Sequence, residues 1–360
     1  GAKLEGTDVI QRVQSTHIRA PQLADLLPGK PAWCYYSVNT RRCGTVFAID
    51  GRSTWLVHNH LHPDEPEFDS VDRDQSIRNI LGVDDHFEYE IITKEDWVGK
   101  RLLSNHFRDR RVFLAGDAAH LWVPYAGYGM NAGIADATNL AWLLGAVVNG
   151  WADPGILDAY EAERHPITEQ VSRFAMNHAH AMSKRRKEIP ENLEEQSAEG
   201  AKARAAFGQD LYDLNVQQYC CAGLNFGYFY DQSPVMVYDA ESAPDYSMGS
   251  FTASTVPGCR APHFWLEQDT SLYDALGAAY TLLCFKPECD AEVSAVQKAA
   301  GEANMPLKIL DVSAYPNRPL EYSHHFVIVR ADAHTVWRGD RVTAENAKQI
   351  VAKLCGYSPA

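Results

Sequence analysis

Apolar and polar positions alternate through residues 9–48, with β-branched and aromatic side chains recurring, as in Ala32-Trp33-Cys34-Tyr35-Tyr36-Ser37-Val38 and Thr45-Val46-Phe47-Ala48. A period of two built from such side chains predicts antiparallel strands. Asp50-Gly51 separates the apolar runs 46–48 and 55–57 and predicts a tight hairpin turn. Beyond it the pattern predicts a helix over 75–81 and strands over 87–93 and 111–115, the last apolar and buried over 112–115. The period then lengthens. Met130, Ile134, Ala137, Ala141, Leu144 and Val148 advance by four, three, four, three and four, which sets them on one face of a long helix that Gly150 ends. Asp153-Pro154 opens another helix, with an N-cap carboxylate and proline at the first helical position. A polar, charged helical stretch over 167–207 leads to an aromatic, Gly-rich segment over 219–230 and a loop-like run with Pro234, Pro244 and Pro257. From Cys259 the pattern turns compact: a strand over 280–285, a helix over 290–303, a strand over 307–312, a hairpin pairing 326–329 with 335–337, and a helix over 344–354.

A chain of 360 residues suggests two or three domains, with one boundary near 245–258. The 33 Lys+Arg against 47 Asp+Glu leave a formal charge of −14, which argues against a nucleic-acid partner, since that needs a basic stripe. No apolar run approaches the roughly 18 residues that cross a bilayer, and the first residues are too polar for a signal sequence. No membrane partner is expected. Eight scattered cysteines lack the spacing of a disulfide scaffold and suit reduced thiols in the cytoplasm. Without a C-x-x-C pair or an H-E-x-x-H helix, no metal site is expected.

The strand and helix order after Cys259 resembles a thioredoxin-like domain. Where that fold carries its redox pair, this chain has Lys286-Pro287-Glu288-Cys289, and no proline stands just before Phe326. A dithiol needs two sulfurs, so disulfide reduction is not expected.

The chemistry concentrates in Gly116-Asp117-Ala118-Ala119-His120-Leu121-Trp122-Val123-Pro124-Tyr125-Ala126-Gly127-Tyr128-Gly129-Met130-Asn131-Ala132-Gly133 and the helix that follows. Asp117 comes at the carboxyl end of an expected strand, where α/β folds place ligands, and offers an acceptor for ligand hydroxyls. Gly127 and Gly129 permit close backbone approach and lead into the amino end of the long helix, which favours negative charge. A ligand that becomes anionic when reduced, such as a flavin, suits that end.

Together with Asp136-Ala137-Thr138-Asn139-Leu140-Ala141-Trp142, the segment resembles the second flavin-binding motif of the FAD-dependent aromatic hydroxylases. Trp97, Arg111-Val112-Phe113-Leu114-Ala115 and Tyr160-Glu161-Ala162-Glu163-Arg164 extend the resemblance over roughly residues 1–180, and the phenol-hydroxylase branch with a thioredoxin-like tail accounts for the remainder. Many relatives have Gly-Gly in place of Ala126-Gly127 and a lysine in place of Leu143. No G-x-G-x-x-G follows a strand, and Gly1-Ala2-Lys3-Leu4-Glu5-Gly6 resembles sequence just after another family motif. The amino-terminal ADP-binding part is therefore expected upstream of Gly1.

The implied fold class is α/β (α+β): a partial FAD-binding domain with an antiparallel or mixed substrate-domain sheet, plus a C-terminal thioredoxin-like domain. The expected divisions are a substrate sheet over 1–105, the second half of the FAD-binding domain over 106–185, a helical and aromatic connection over 186–257, and the terminal domain over 258–360. The resemblance implies hydroxylation of a phenolic substrate through a flavin C4a-hydroperoxide, with FAD as cofactor, NAD(P)H as reductant and O2 as co-substrate. It assigns FAD contacts to Gly116, Asp117, Pro124, Gly127, Gly129, Met130 and Asn131, with Asp117 on the ribityl chain and Pro124 flanking the reacting ring. Catalytic candidates are Pro124, His120 and Tyr36, with Tyr35, His58 and His60 on the same sheet as further candidates. Cys220-Cys221 and Tyr228-Phe229-Tyr230 serve either a substrate entrance or interdomain packing. A homodimer acting on a small aromatic substrate is expected. The competing readings are a cofactor-less scaffold of the same fold and a flavin-dependent halogenase, whose Trp-x-Trp-x-Ile-Pro motif is absent.

Overall fold

The structure, a computed structural model, describes residues 1–27, 29–315 and 317–357. Its first half contains β1 (Leu4–Arg19), α1 (Leu23–Leu26), β2 (Cys34–Ser37), β3 (Gly44–Ala48), β4 (Thr54–His60), α2 (Arg73–Leu81), β5 (Glu90–Lys94), β6 (Trp97–Ser104), β7 (Arg108–Asp109), β8 (Val112–Phe113) and β9 (His120–Leu121). An antiparallel sheet runs β2-β3-β4-β1-β6-β9, with β5 added on β1. The Asp50-Gly51 hairpin forms as expected. One Asp50 carboxylate oxygen accepts the N–H groups of Arg52, Ser53 and Thr54 at 2.9, 2.8 and 2.9 Å. Alternation gives the sheet two unlike faces. Val46, Trp55 and Val57 pack with Ile18 and with Ile77 and Ile80 of α2, while the intervening Thr45, Phe47 and His58 point the other way.

Next come α3 (Tyr128–Val148), α4 (Asp158–Arg185), α5 (Ala198–Val216) and α6 (Ala222–Phe226). Then follow β10 (Trp265–Glu267), β11 (Thr270–Ser271), β12 (Tyr280–Cys284), α7 (Asp290–Glu302), β13 (Leu307–Asp311), β14 (Phe326–Arg330), β15 (Thr335–Gly339) and α8 (Ala344–Leu354). The second sheet has the order β13-β12-β14-β15, with β13 parallel to β12 and the other pairs antiparallel. Tyr280 and Ile328 on one face share a core with Leu143 of α3, Tyr160 of α4 and Leu354 of α8. Leu283 and Val327 on the other face pack with Phe264 and Tyr322.

Several expectations need correction. The strand over 111–115 shrinks to β8, which pairs only with β7, and Val112 is 64% exposed. Asp117 is carried instead by a single 3₁₀ turn, Gly116–Ala118. The 3.6-residue period of α3 is real, but its apolar stripe faces outward: Met130 is 74% and Val148 83% exposed. The buried side is Ala132, Asp136, Asn139, Leu143 and Ala146, because hydrogen bonding to α4 outranks apolarity in setting the helix orientation. The strand over 87–93 begins later, as the exposed β5. The helical stretch over 167–207 is broken, α4 ending at Arg185 and α5 starting behind a Ser197 cap. In the C-terminal unit the turn between β12 and α7 folds back through Glu288, φ +56°, and brings Cys289 within hydrogen-bonding reach of Cys284.

Candidate active site

The second face of the first sheet forms one wall of a cavity of about 330 Å³. Register decides which side chains meet there. Tyr36 lies opposite Thr45 and Thr45 opposite His58, so one row from each of β2, β3 and β4 points the same way. Phe47 and His60 extend that wall, and Gln11 of β1 and Trp97 of β6 continue it. The facing wall is the Pro124-Tyr125 turn with Gly127, and Trp33, Gln218 and Tyr219 complete the lining.

Nearly every polar group of this wall is neutral. Burial pushes His58 down to about 4. Burial, with the nearby Arg186, holds His60 well below the ordinary histidine range. Tyr36 is raised far above the ordinary phenol value, first by burial and then by its hydrogen-bond partner Tyr219. The two tyrosine hydroxyls lie 2.9 Å apart, and Gln218 donates to Tyr36 at 3.0 Å. His60 Nε2 is 3.4 Å from the Thr45 hydroxyl. Among the described residues the ring nitrogens of His58 have no hydrogen-bond partner. Its neighbours are the rings of Phe47, Trp97 and His60, at 5.1, 6.0 and 6.3 Å.

Beside the cavity stands the amino end of α3. Gly127 caps it in the left-handed region, φ +66°, with open space where a side chain would be, and no side chain caps the helix. The first-turn N–H groups, including those of Gly129, Met130 and Asn131, therefore have no partners within the helix. Asn131 Nδ2 donates back to the Gly127 carbonyl at 2.8 Å. Asp117 is exposed, and among the described residues its carboxylate has no hydrogen-bond or ion-pair partner.

The turn that carries Asp117 is fixed from beneath. Gly116 has φ +56°, and a Cβ on Gly133 would sit 3.4 Å from its Cα, so helix and turn meet backbone to backbone. The Gly116 N–H donates to Asp136 at 3.1 Å. His120 lies 2.7 Å from the same carboxylate oxygen, and Arg164 donates to the other at 2.9 Å. All three side chains are buried. His120 thus belongs to the support of the turn and does not line the cavity.

A second ion cluster continues from α4. Glu163 accepts from Asn139 and Ser233 at 2.7 Å each and takes both Nη groups of Arg330 at 2.8 Å. Asp332 also holds Arg330, whose guanidinium lies over the rings of Trp142 and Tyr230. Tyr228 and Tyr230 lie beside His334, and Cys221 is buried in the shared core. This segment packs the two units together.

Of the residues singled out from the sequence, the fold gathers Tyr36, His58, His60, Pro124 and Gly127 around one cavity, with Gly129, Met130 and Asn131 on the adjoining helix end. It sends Tyr35 to the opposite face, against Trp55. Sequence reading missed Gln11, Trp33, Thr45, Phe47, Trp97, Tyr125, Gln218 and Tyr219 as lining. For Thr45 and Phe47 the signal was present, since they share the strand face of His58.

Residues 1–175 match the FAD binding domain family. The FAD-dependent monooxygenase apdD of Emericella nidulans is 31% identical over 333 residues, 87% of this chain and 53% of that protein. A phenol 2-monooxygenase of a Pseudomonas species is 29% identical over 84% of this chain and 54% of its own length. The chain spans about half the length of these curated relatives. The structure of the rebeccamycin biosynthetic enzyme RebC with reduced flavin superposes with a TM-score of 0.85 at 30% identity, over 99% of this chain and 65% of that one.

Proposed function

The chain belongs to the FAD-dependent aromatic hydroxylases, and from that premise we propose that the protein hydroxylates an aromatic substrate at this cavity, using FAD, NAD(P)H and O2. The observation that carries the proposal is the juxtaposition of an uncapped helix end and an aromatic-walled cavity that share Gly127. The residues present fit a flavin. Gly127 leaves space for close approach, the N–H groups of Gly129, Met130 and Asn131 suit the electron-rich pyrimidine edge, and the unpartnered Asp117 suits the ribityl hydroxyls. Bound there, the flavin supplies oxygen activation and hydride acceptance, which no side chain can provide. Pro124 would flank a flavin bound there without offering a competing donor, and Trp97, Phe47 and Tyr125, which line the cavity, would help keep water from it. Tyr36, held protonated, hydrogen-bonds with Tyr219 and Gln218 at the far side of the cavity.

The test uses the natural protein, purified under native conditions. A bound-flavin absorption spectrum is expected, with NAD(P)H oxidation stimulated by an aromatic substrate and one oxygen atom from O2 in the product. A protein that holds no flavin after reconstitution with FAD supports the scaffold reading instead.

A further inference from the structure

We propose that Cys284 and Cys289 form a peroxide-reactive dithiol in the C-terminal unit, in which hydrogen peroxide oxidises Cys289 and Cys284 closes the disulfide. The proposal goes beyond the hydroxylase reading and does not depend on it.

The turn after β12 brings the two side chains together. Cys284 is the last residue of β12, and Cys289 stands immediately before α7. Glu288 takes φ +56°, a left-handed conformation that costs free energy in a residue with a side chain and persists where the surroundings impose it. Those surroundings are visible. The Phe285 N–H donates to the His325 carbonyl at 2.9 Å, Arg318 donates to the Phe285 carbonyl at 3.1 Å, and Lys286 reaches Glu292 of α7 at 3.3 Å. At the two ends, the Cys284 carbonyl accepts from Val312 at 2.9 Å and the Cys289 carbonyl from Val293 at 3.0 Å. Cys289 packs on the same core group that contains Cys284, and the two thiols are hydrogen-bonded. The second sulfur that is missing from the sequence around Lys286 comes from the strand.

The two thiols are unlike, and the difference orders the chemistry. Cys289 is partly exposed, whereas Cys284 is only 1% exposed. Burial, and then the neighbouring Cys289 through charge and hydrogen bond, push the Cys284 thiol up to about 12, so Cys284 keeps its proton. A small oxidant therefore meets Cys289 first. Its sulfur attacks one peroxide oxygen, the O–O bond breaks, and the departing hydroxide leaves as water with the thiol proton. The product is a sulfenic acid. Cys284 then attacks that sulfur, the S–S bond forms as the S–O bond breaks, and the second hydroxide leaves as water with the Cys284 proton. Two thiols lose two electrons, and one peroxide becomes two waters. Burial of Cys284 keeps thiols of other molecules from intercepting the exchange, so the disulfide forms within the chain.

Trypsin makes the test direct. Lys286 precedes Pro287 and resists cleavage, so residues 261–298 leave as one peptide whose only cysteines are Cys284 and Cys289. The purified full chain, reduced and freed of reductant, is treated with hydrogen peroxide, alkylated under denaturing conditions and digested. The peptide is expected to be lighter by two hydrogen atoms and without an alkyl group, and to take two alkyl groups when dithiothreitol precedes alkylation. In Cys284→Ser a sulfenic acid trapped by dimedone at Cys289 is expected in place of the disulfide, and in Cys289→Ser Cys284 is expected to stay fully alkylatable. Exposed Cys220 is the internal reference and is expected to react more slowly than the pair. Two free thiols after treatment, a sulfinic acid at Cys289 beside a free Cys284 in the parent chain, or Cys220 oxidised as fast as the pair would overturn the proposal. The parent-chain map decides even where a variant fails to fold. Because peroxide is added and no turnover is read, a protein without flavin or NAD(P)H oxidation leaves this outcome unaffected.

Discussion

The two buried polar regions of this molecule differ in kind. Between α3, α4 and the second sheet the polar groups are ionic and meet one another: Asp136 with His120 and Arg164, Glu163 with Arg330. Around the cavity they are neutral, and His58 has ring neighbours but, among the described residues, no hydrogen-bond partner. A buried charge is tolerable only where its counter-charge and hydrogen bonds are built in, so the first region is complete without any ligand. A buried neutral group without a partner costs less and leaves an unfilled valence. The contrast separates residues that hold the site from residues that serve it, although both sets lie close to the Gly116-Asp117 turn.

Breaking the ionic region has the largest expected effect. Glu163 and Arg330 are both fully buried, so Arg330→Met leaves a carboxylate with only Ser233 and Asn139 and is expected to cost about 3–5 kcal/mol. Replacing both, Glu163→Gln with Arg330→Met, removes the Glu163 charge, leaves Asp332 as the carboxylate without its arginine, and is expected to cost less than Arg330→Met alone. Urea unfolding of the single and double variants measures this, and equal losses would mean that the pair is not the clamp described.

Asp136 comes next. Asp136→Ala strands Arg164 and His120 and is expected to cost about 2–4 kcal/mol. A pH series sharpens the point. Burial opposes the charged form of Asp136, yet the His120 hydrogen bond and the Arg164 charge more than offset it, and its carboxyl stays below the ordinary value of 3.8. The folded state therefore binds fewer protons at this group. Its stabilisation is whole above that value and is lost as pH falls through the lower, folded one. Acidification below about pH 4 should thus destabilise the parent chain more than Asp136→Asn, and parallel acid limbs for the two would refute the assignment.

The smallest effect on folding is expected at Asp117, whose exposed carboxylate supports no core contact. Asp117→Ala should leave the melting temperature unchanged and weaken FAD binding about tenfold, the loss of one hydrogen-bonded contact. Unchanged flavin content in that variant would remove Asp117 from the site.

Short-range structure was legible from the sequence wherever a local rule decided it. Asp50-Gly51 makes its hairpin because the aspartate closes three N–H groups within four residues, and α3 forms where its period said. What the period could not give was the direction of α3. Asp136 and Asn139 turn inward because Arg164 and Glu163 wait on α4, a pairing that no local pattern encodes. The strand over 111–115 failed for the same reason: its apolar residues had no neighbouring strand beyond β7 to make them one. At the site, the glycine and aspartate positions could be read because the backbone itself makes them special. The cavity wall could not, since it is assembled from alternate residues of separate strands and closed by Gln218 and Tyr219, whose contact with Tyr36 spans more than 180 positions.

The Glu163–Arg330 contact also governs how such chains can be recombined. The two residues lie 167 positions apart, with the proline-rich run around Pro244 and Pro257 between them. That run is the natural place for a crossover in a chimera, since few elements are interrupted there. Any exchange at that point gives α4 from one parent and β14 from the other, and the two must bring matching charges to a place that water does not reach. Residues 163 and 330 are thus inherited as one character, and a library of chimeras that ignores their linkage is expected to be depleted of folded members at that junction.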